Sequence, residues 1–115
     1  MKLTLPWPPK ELMPNAARRR HWSVNGRAAK IYRQACWALA KEARVSVTAG
    51  DVPILLSLTF HPPDKRNRDD DGIISAFKSG RDGLADAMGV DDKQFRPTYI
   101  IAEPVKGGSV EVEIL

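Results

Sequence analysis

Hydrophobic residues recur in four short stretches in the manner typical of β-strands: residues 3–5, 54–60, 98–103 and 110–114. In the second stretch every other residue is large and apolar, so one face of that strand is predicted to be buried. A Lys-Gly-Gly sequence at 106–108 separates the last two stretches. It predicts a turn that joins these two strands as a hairpin.

Two longer segments show the period of an amphipathic α-helix. The first spans about residues 23–44 and has a stripe of apolar side chains on one face: Ala28, Tyr32, Cys36 (or Ala35), Leu39 and Ala43. The second spans about residues 71–88, and Gly89 suits the left-handed position just beyond a helix. Gly80 and Gly83 each disfavour a helix by about 1 kcal/mol, so their presence indicates close packing against another backbone.

The order of these elements, β-α-β-α-β-β, predicts an α/β (α+β) fold with a mixed sheet and two main helices. We expect the strands on either side of each helix to be parallel and the last two strands to be antiparallel. A chain of 115 residues suits one modest hydrophobic core, so residues 1–115 are predicted to form a single domain.

The composition disfavours several classes of protein. No apolar run approaches the ~20 residues that cross a bilayer, and the proline-rich start does not resemble a signal peptide, so we expect no membrane association. The sequence contains no P-loop, so no nucleotide cofactor is expected, and His21 and His61 are too isolated for a zinc site. Cys36 is the single cysteine; it is predicted to be an inert core residue, which fits a reducing cytoplasm.

Charge is divided unevenly along the chain. Residues 1–50 contain ten Lys or Arg and two acidic residues, a net charge of +8. Residues 51–115 contain eight Lys or Arg and twelve acidic residues, a net charge of −4. This asymmetry fits a polyanion that one part of the protein holds and the other part acts on, with an accidental surface asymmetry as the alternative.

Two acidic clusters flank the second predicted helix: Asp69-Asp70-Asp71 before it and Asp91-Asp92 after it. Mg²⁺ prefers carboxylate ligands, and bound Mg²⁺ can activate water against a phosphodiester. In an extended segment Asp69 and Asp71 would share a side and could share a metal, whereas Asp70 would point away. Simple capping of the helix by these acids is the alternative. A helix of about 18 residues is ~27 Å long, so Asp92 must be returned by the following chain or supplied by a second subunit.

Basic residues accompany these acids, as a site that acts on phosphate requires. Lys78 shares a helical face with Asp71 and Asp82, and its ammonium could reach a phosphate, although it could equally be a solvated surface lysine. An arginine run beside Trp22 combines charge with an aromatic ring, as binding of nucleic acid does, and a flexible charged loop is the alternative. The predicted DNA-binding residues are Arg18, Arg19, Arg20, Arg27, Lys30, Lys65, Arg66 and Arg68.

With these residues the sequence resembles the RusA family of Holliday junction resolvases over nearly its whole length. The matching motifs are Leu5-Pro6-Trp7-Pro8-Pro9, Pro63-Asp64-Lys65-Arg66-Asn67-Arg68-Asp69-Asp70-Asp71, Gly89-Val90-Asp91-Asp92-Lys93-Gln94 and Lys106-Gly107-Gly108. The resemblance implies a homodimer that cuts four-way DNA junctions symmetrically in recombination and repair, with Mg²⁺ or possibly Mn²⁺. It implies a bacterial or phage-encoded protein.

By the matching positions, the resemblance implies that Asp69, Asp71 and Asp92 are the catalytic acids that bind the metal. Asp91 would be a supporting neighbour in the metal site. It also implies that these acids are brought together in each subunit of a mixed α/β domain.

Two positions depart from the family's pattern. Gly72 stands where the family usually has Asn, and Ser75 stands where its best-known members have an essential lysine. We expect Lys78, one turn further along the same face, to take the catalytic role of that lysine. The alternatives are a non-catalytic protein that binds branched DNA with a degenerate site, a flap or branch nuclease, and a small basic protein with no role on nucleic acid.

Overall fold

The computed structural model describes residues 1–14, 22–46 and 53–115, and in the second range it describes side chains from Asn25 onward. The elements in chain order are β1 (Lys2–Pro6), a 3₁₀ helix (Lys10–Leu12), α1 (Trp22–Glu42), β2 (Ile54–His61), α2 (Asp70–Ala76), α3 (Lys78–Met88), a second 3₁₀ helix (Asp92–Gln94), β3 (Phe95–Ile101) and β4 (Ser109–Ile114). The described part of the chain therefore has the predicted mixed α/β class. Three predicted DNA-binding residues, Arg18, Arg19 and Arg20, lie outside the described residues.

The strands form one mixed sheet in the order β1-β4-β2-β3. β2 and β3 are parallel, which confirms the prediction for the strands on either side of the second helical segment. β4 lies between β1 and β2 and is antiparallel to both. The predicted hairpin of the last two strands is therefore wrong, because β4 pairs with β1 and β2 rather than with β3.

The connection from β3 to β4 explains why no hairpin forms. Residues 102–108 carry the chain past the end of β2, where the N–H of Ala102 donates to the carbonyl of Phe60 at 2.9 Å. The predicted turn is present in this connection, and Gly107 has a φ of +81°, which glycine adopts without strain. The chain therefore crosses the end of β2, and β4 enters the sheet between β1 and β2.

The helices cover one face of this sheet. Leu58 of β2 lies in register between Val112 of β4 and Tyr99 of β3, so apolar side chains of three strands share that face. The buried cluster between the sheet and the helices includes Leu5, Tyr32, Cys36, Leu56, Leu58, Phe60, Ile73, Phe77, Leu84, Phe95, Val110 and Val112. Withdrawal of this apolar surface from water is the main force that holds the two layers together.

Close contact between α1 and α3 confirms the predicted packing against a backbone at Gly83, whereas Gly80 packs against side chains. A Cβ atom at Gly83 would lie 2.3 Å from the backbone oxygen of Arg33, and one at Gly80 would lie 2.8 Å from the Tyr32 ring. Cys36 is fully buried on the same face of α1, as predicted. Burial raises the pKa of its thiol to about 11. The buried stripe continues to Ala40 instead of Ala43, because α1 ends at Glu42.

The second predicted helix is interrupted, so the expectation of two main helices is corrected to three among the described residues. The break falls at Phe77, whose N–H lies within hydrogen-bonding distance of the carbonyls of Ile73 and Ile74 at 3.1 and 3.2 Å. The Phe77 ring is buried and packs edge-on against Phe60 at a centroid distance of 5.5 Å. Phe77 is thus both the C-cap residue of α2 and the N-cap residue of α3.

Candidate functional site

The first acidic cluster lies where the chain enters α2. Asp69 occupies the N-cap position, but its carboxylate makes no capping hydrogen bond, and Asp69, Asp70 and Asp71 are all exposed. Capping by the Asp69 side chain therefore does not account for this carboxylate. Asp70 and Asp71 belong to the first helical turn, so the expectation that Asp69 and Asp71 share one side of an extended segment is wrong.

The second acidic cluster is returned toward the start of α3 by the chain that follows this helix. Gly89 ends α3 in the left-handed conformation, with a φ of +70°. Asp91 then caps the short 3₁₀ helix, because its carboxylate accepts a hydrogen bond from the N–H of Lys93 at 2.9 Å. Asp92 is the first residue of that 3₁₀ helix. The Asp91 side chain thus fixes the turn that presents Asp92.

Lys78 and Asp92 form the centre of the candidate site. The Lys78 ammonium donates to Asp92 Oδ2 at 2.5 Å and to Asp82 Oδ1 at 2.5 Å. The hydrogen bonds to Asp82 and Asp92 raise the pKa of Lys78 above its ordinary value. The hydrogen bond from Lys78 holds the pKa of the Asp92 carboxyl below its usual range. Both side chains are therefore charged at neutral pH, and the site presents an ammonium held by two carboxylates.

Two arginines that the sequence analysis did not select complete this network. Arg81 donates to the backbone carbonyl of Asp92 at 3.0 Å, which fixes the 3₁₀ helix against α3. Arg33 of α1 lies 4.0 Å from Asp82 and makes two hydrogen bonds to Asp86, at 2.7 and 2.9 Å. Their contacts with Asp92 and Asp86 span 11 and 53 residues, so helical spacing alone did not reveal them.

The residues fit a divalent metal in donor chemistry but only partly in arrangement. Asp69, Asp71 and Asp92 carry the hard oxygen donors that Mg²⁺ prefers. Within the described parts of the chain, however, no three Asp, Glu, His or Cys side chains are grouped so that they could hold a metal ion. Asp92 is instead paired with Lys78. The metal-binding roles of these acids stay predictions.

Two clefts lie beside the acids, and each is lined by a position that departs from the family's pattern. Gly72 lines a cleft of about 210 Å³ together with Arg68 and Asp69. Ser75 lines a cleft of about 270 Å³ together with Lys78, Arg81 and Tyr99. A Cβ at Gly72 would meet Pro14 at an ordinary 3.6 Å, so the local packing does not require glycine.

The predicted DNA-binding residues that the structure describes fall into two groups. Arg27, Lys30, Lys65 and Arg66 are exposed, and the Arg66 guanidinium also lies 3.7 Å from the Asp64 carboxylate. Arg68 is instead 20% exposed and pairs with Asp64 at 2.9 Å, and its guanidinium lies over the Trp7 ring. Arg68 therefore has a structural role, because these contacts order the loop before α2.

The fold and the site together define a two-layer α/β protein in which a lysine of the helical layer, Lys78, pairs with two carboxylates. No protein-family model matches the chain. The chain is 40% identical to an uncharacterized protein of Xylella fastidiosa, over 97% of this chain and 74% of the relative. It is 32% identical to the crossover junction endodeoxyribonuclease RusA of Escherichia coli K12, over 97% of this chain and 91% of the relative. Identity to the corresponding protein of enterobacteria phage 82 is 31%, with the same coverage.

The chain belongs to the RusA family, whose members in E. coli and phage 82 carry the name crossover junction endodeoxyribonuclease. Among the helices that the structure describes, none has both the length and the hydrophobicity needed to cross a membrane.

Proposed function

We propose that this chain is a metal-dependent endodeoxyribonuclease that resolves four-way DNA junctions by symmetric hydrolysis of phosphodiester bonds. The observation that carries the proposal is the 2.5 Å pair between the exposed Lys78 ammonium and Asp92. It occurs in a chain that aligns over 97% of its length with crossover junction endodeoxyribonucleases. Such enzymes act in DNA recombination and repair, and a bacterial or phage protein of this kind would work in the cytoplasm.

The Lys78 side chain is suited to a phosphate ligand. It is 57% exposed, so a DNA phosphate can approach its ammonium directly. Negative charge accumulates on the phosphoryl oxygens as the bond is cut, and a fixed cation at that place lowers the barrier. Lys78 also offsets the repulsion between the phosphate and Asp92. We therefore assign Lys78 the role of the lysine that the family's best-known members have at the position of Ser75.

We propose Mg²⁺, or Mn²⁺, as the metal and Asp69, Asp71 and Asp92 as its ligands, with Asp91 beside them. When bound, such a metal activates water and polarises the phosphate. The family resemblance that implies these ligands also implies a homodimer, and we propose that the chain acts as one. A two-fold dimer also matches the near two-fold symmetry of a four-way junction and would place two cuts symmetrically.

The exposed cations supply the proposed contacts with the DNA backbone. Lys65 and Arg66 lie in the loop shortly before the first acidic cluster, and Arg27 and Lys30 lie on the exposed face of α1. Contacts of this kind give affinity without reading sequence, because phosphates are the same at every step of the duplex.

Cleavage of a mobile four-way junction by the full-length protein, with and without Mg²⁺, tests this function. We expect paired symmetric nicks only with the metal. Asp71→Asn should slow cleavage by roughly 100-fold or more and leave junction binding intact, because loss of an acid does not weaken attraction for phosphate. Asp70→Asn removes a neighbouring charge from the same helical turn and should cleave at nearly the parental rate.

Two results would contradict the proposal. Tight junction binding by the parent protein with no nick at any Mg²⁺ or Mn²⁺ concentration would favour the non-catalytic junction-binding protein. Loss of junction binding in a folded Asp71→Asn variant would contradict the catalytic role of this acid.

A further inference from the structure

Asp82 of α3 contacts the candidate site but has no role in the function proposed above. Its carboxylate accepts a hydrogen bond from the Lys78 ammonium at 2.5 Å, and its side chain is only 24% exposed. The same ammonium donates to Asp92, which lies outside α3 on the second 3₁₀ helix. Lys78 is thus held by carboxylates from two separate elements.

A residue of the neighbouring helix α1 in turn restrains Asp82. Arg33 of α1 lies 4.0 Å from the second carboxylate oxygen of Asp82. The Arg33 guanidinium is itself oriented by two hydrogen bonds to Asp86, at 2.7 and 2.9 Å. Gly83, which follows Asp82 and precedes Asp86 in the sequence, packs directly against the backbone of α1. The backbone that carries Asp82 is therefore closely packed. The Asp82 carboxylate is therefore a fixed point against which a flexible side chain can be oriented.

The contacts of Lys78 exceed those of an ordinary exposed ion pair. A lysine paired with an acid four residues later on a helix gains about 0.3–0.5 kcal/mol, and such a pair often exchanges with water. Here the lysine spans the i+4 carboxylate and a second carboxylate 14 residues away. Two acceptors on opposite elements limit the rotamers of a side chain that has four rotatable bonds.

We propose that Asp82 is a positioning residue that holds the Lys78 ammonium beside Asp92 for the phosphodiester cleavage proposed above. Asp82 acts through Lys78 and does not touch DNA itself. Without it, the Lys78 side chain would extend into solvent and spend less time at the place where a phosphate meets Asp92. This inference rests on the proposed nuclease function, and it predicts an effect on the rate of cutting rather than on the affinity for DNA.

Asp82→Asn tests the proposal in single-turnover cleavage at saturating junction. We expect the rate constant to fall about tenfold, in the range found when a residue that orients a site group is lost, with junction affinity unchanged. Asp82→Glu should recover part of the rate, because it restores a negatively charged carboxylate that can pair with Lys78. Glu113→Gln is the matched control. Glu113 of β4 pairs with another exposed lysine, Lys2 of β1, and the substitution removes the charge of that carboxylate.

A double variant decides whether Asp82 acts through Lys78. In the Lys78→Ala background, Asp82→Asn should cause no further loss of rate, because the side chain to be positioned is already absent. A further loss in that background as large as the loss in the parent would overturn the proposal. So would an Asp82→Asn rate equal to that of the parent protein.

A second readout does not depend on cleavage. In the ¹⁵N-labelled full-length protein without metal, the Lys78 ammonium should give a sharp NMR signal in the parent and in Glu113→Gln. That signal should broaden beyond detection in Asp82→Asn. A sharp, unshifted signal in Asp82→Asn would overturn the positioning role. If the parent protein cuts no junction, the nuclease proposal fails, and this spectrum still decides whether Asp82 holds Lys78.

Discussion

At the scale of single residues, chemically similar side chains have different roles because their local environments differ. Asp91 and Asp92 are neighbours, yet Asp91 caps the 3₁₀ helix and Asp92 faces Lys78. Lys78 is charged and exposed, whereas Cys36 is buried and protonated. The sequence predicted the burial of Cys36 from its place on a helical stripe, but it did not distinguish the contacts of the two acids.

Cys36 makes stability depend on pH at the alkaline end. Burial raises the pKa of its thiol from the ordinary 9.0 to about 11. The folded protein therefore keeps this proton between about pH 9 and 11, where the unfolded chain gives it up. The free energy of unfolding must fall as pH rises through this window, by at most ~1.4 kcal/mol per pH unit. We expect a loss of about 1 kcal/mol between pH 8 and 10 in urea unfolding.

The Cys36→Ala variant separates this effect from the rest of the protein. It should be less stable than the parent at pH 8, because it leaves a cavity, but its stability should decline less between pH 8 and 10. If the free energy of unfolding falls equally with pH in the parent and in Cys36→Ala, the Cys36 thiol does not have the raised pKa that its burial predicts.

At the scale of elements, a small residue determines how closely two helices pack, and the second helical segment is divided in two. Gly83 lets α3 approach the backbone of α1, and Phe77 lies at the break between α2 and α3. The glycines inside a helical pattern predicted the close contact between the helices. The periodicity did not predict the break at Phe77, because this residue falls on the apolar stripe of what would be an uninterrupted helix.

Gly83→Ala should destabilise the protein by about 2–3 kcal/mol, although alanine is the better helix former, because the new methyl group would overlap the Arg33 carbonyl. Gly26→Ala is the matched control on α1, where nothing lies within 4 Å of the added Cβ. That substitution should stabilise by about 0.5–1 kcal/mol. Thermal and urea unfolding measure both, and equal shifts in the same direction would contradict the packing account.

At the scale of the whole molecule, the sheet buries one face under the helices and leaves a mixed face on which polar Thr4, Ser57 and Glu111 lie with exposed Leu55 and Ile100. The acidic site and the exposed cations Lys65 and Arg66 lie on neighbouring segments of the chain. This proximity is what a protein that holds a polyanion and acts on it requires. Binding of DNA through such cations must weaken as the salt concentration rises, because the release of counterions from DNA then yields less entropy.

Lys65→Ala and Arg66→Ala together should reduce the slope of log Kd against log salt concentration by about two, roughly 0.9 for each phosphate that the protein no longer neutralises. Fluorescence anisotropy with a labelled four-way junction measures this slope. Lys2→Ala removes an exposed cation on the mixed face of the sheet and should leave the slope within error. A slope unchanged by the double substitution would exclude these residues from the DNA interface.

The sequence by itself determined the class of fold and the parallel pair around the second helical segment, and it selected the acids and the lysine whose roles stay predictions. These follow from periodicity and local chemistry, which neighbouring residues encode. Only the tertiary structure decided that β4 pairs with β1 and β2, that Phe77 ends a helix, and that Asp82 and Asp92 meet on Lys78. Those features depend on contacts between residues distant in sequence, and the free energy of such contacts is set by packing that no local pattern contains.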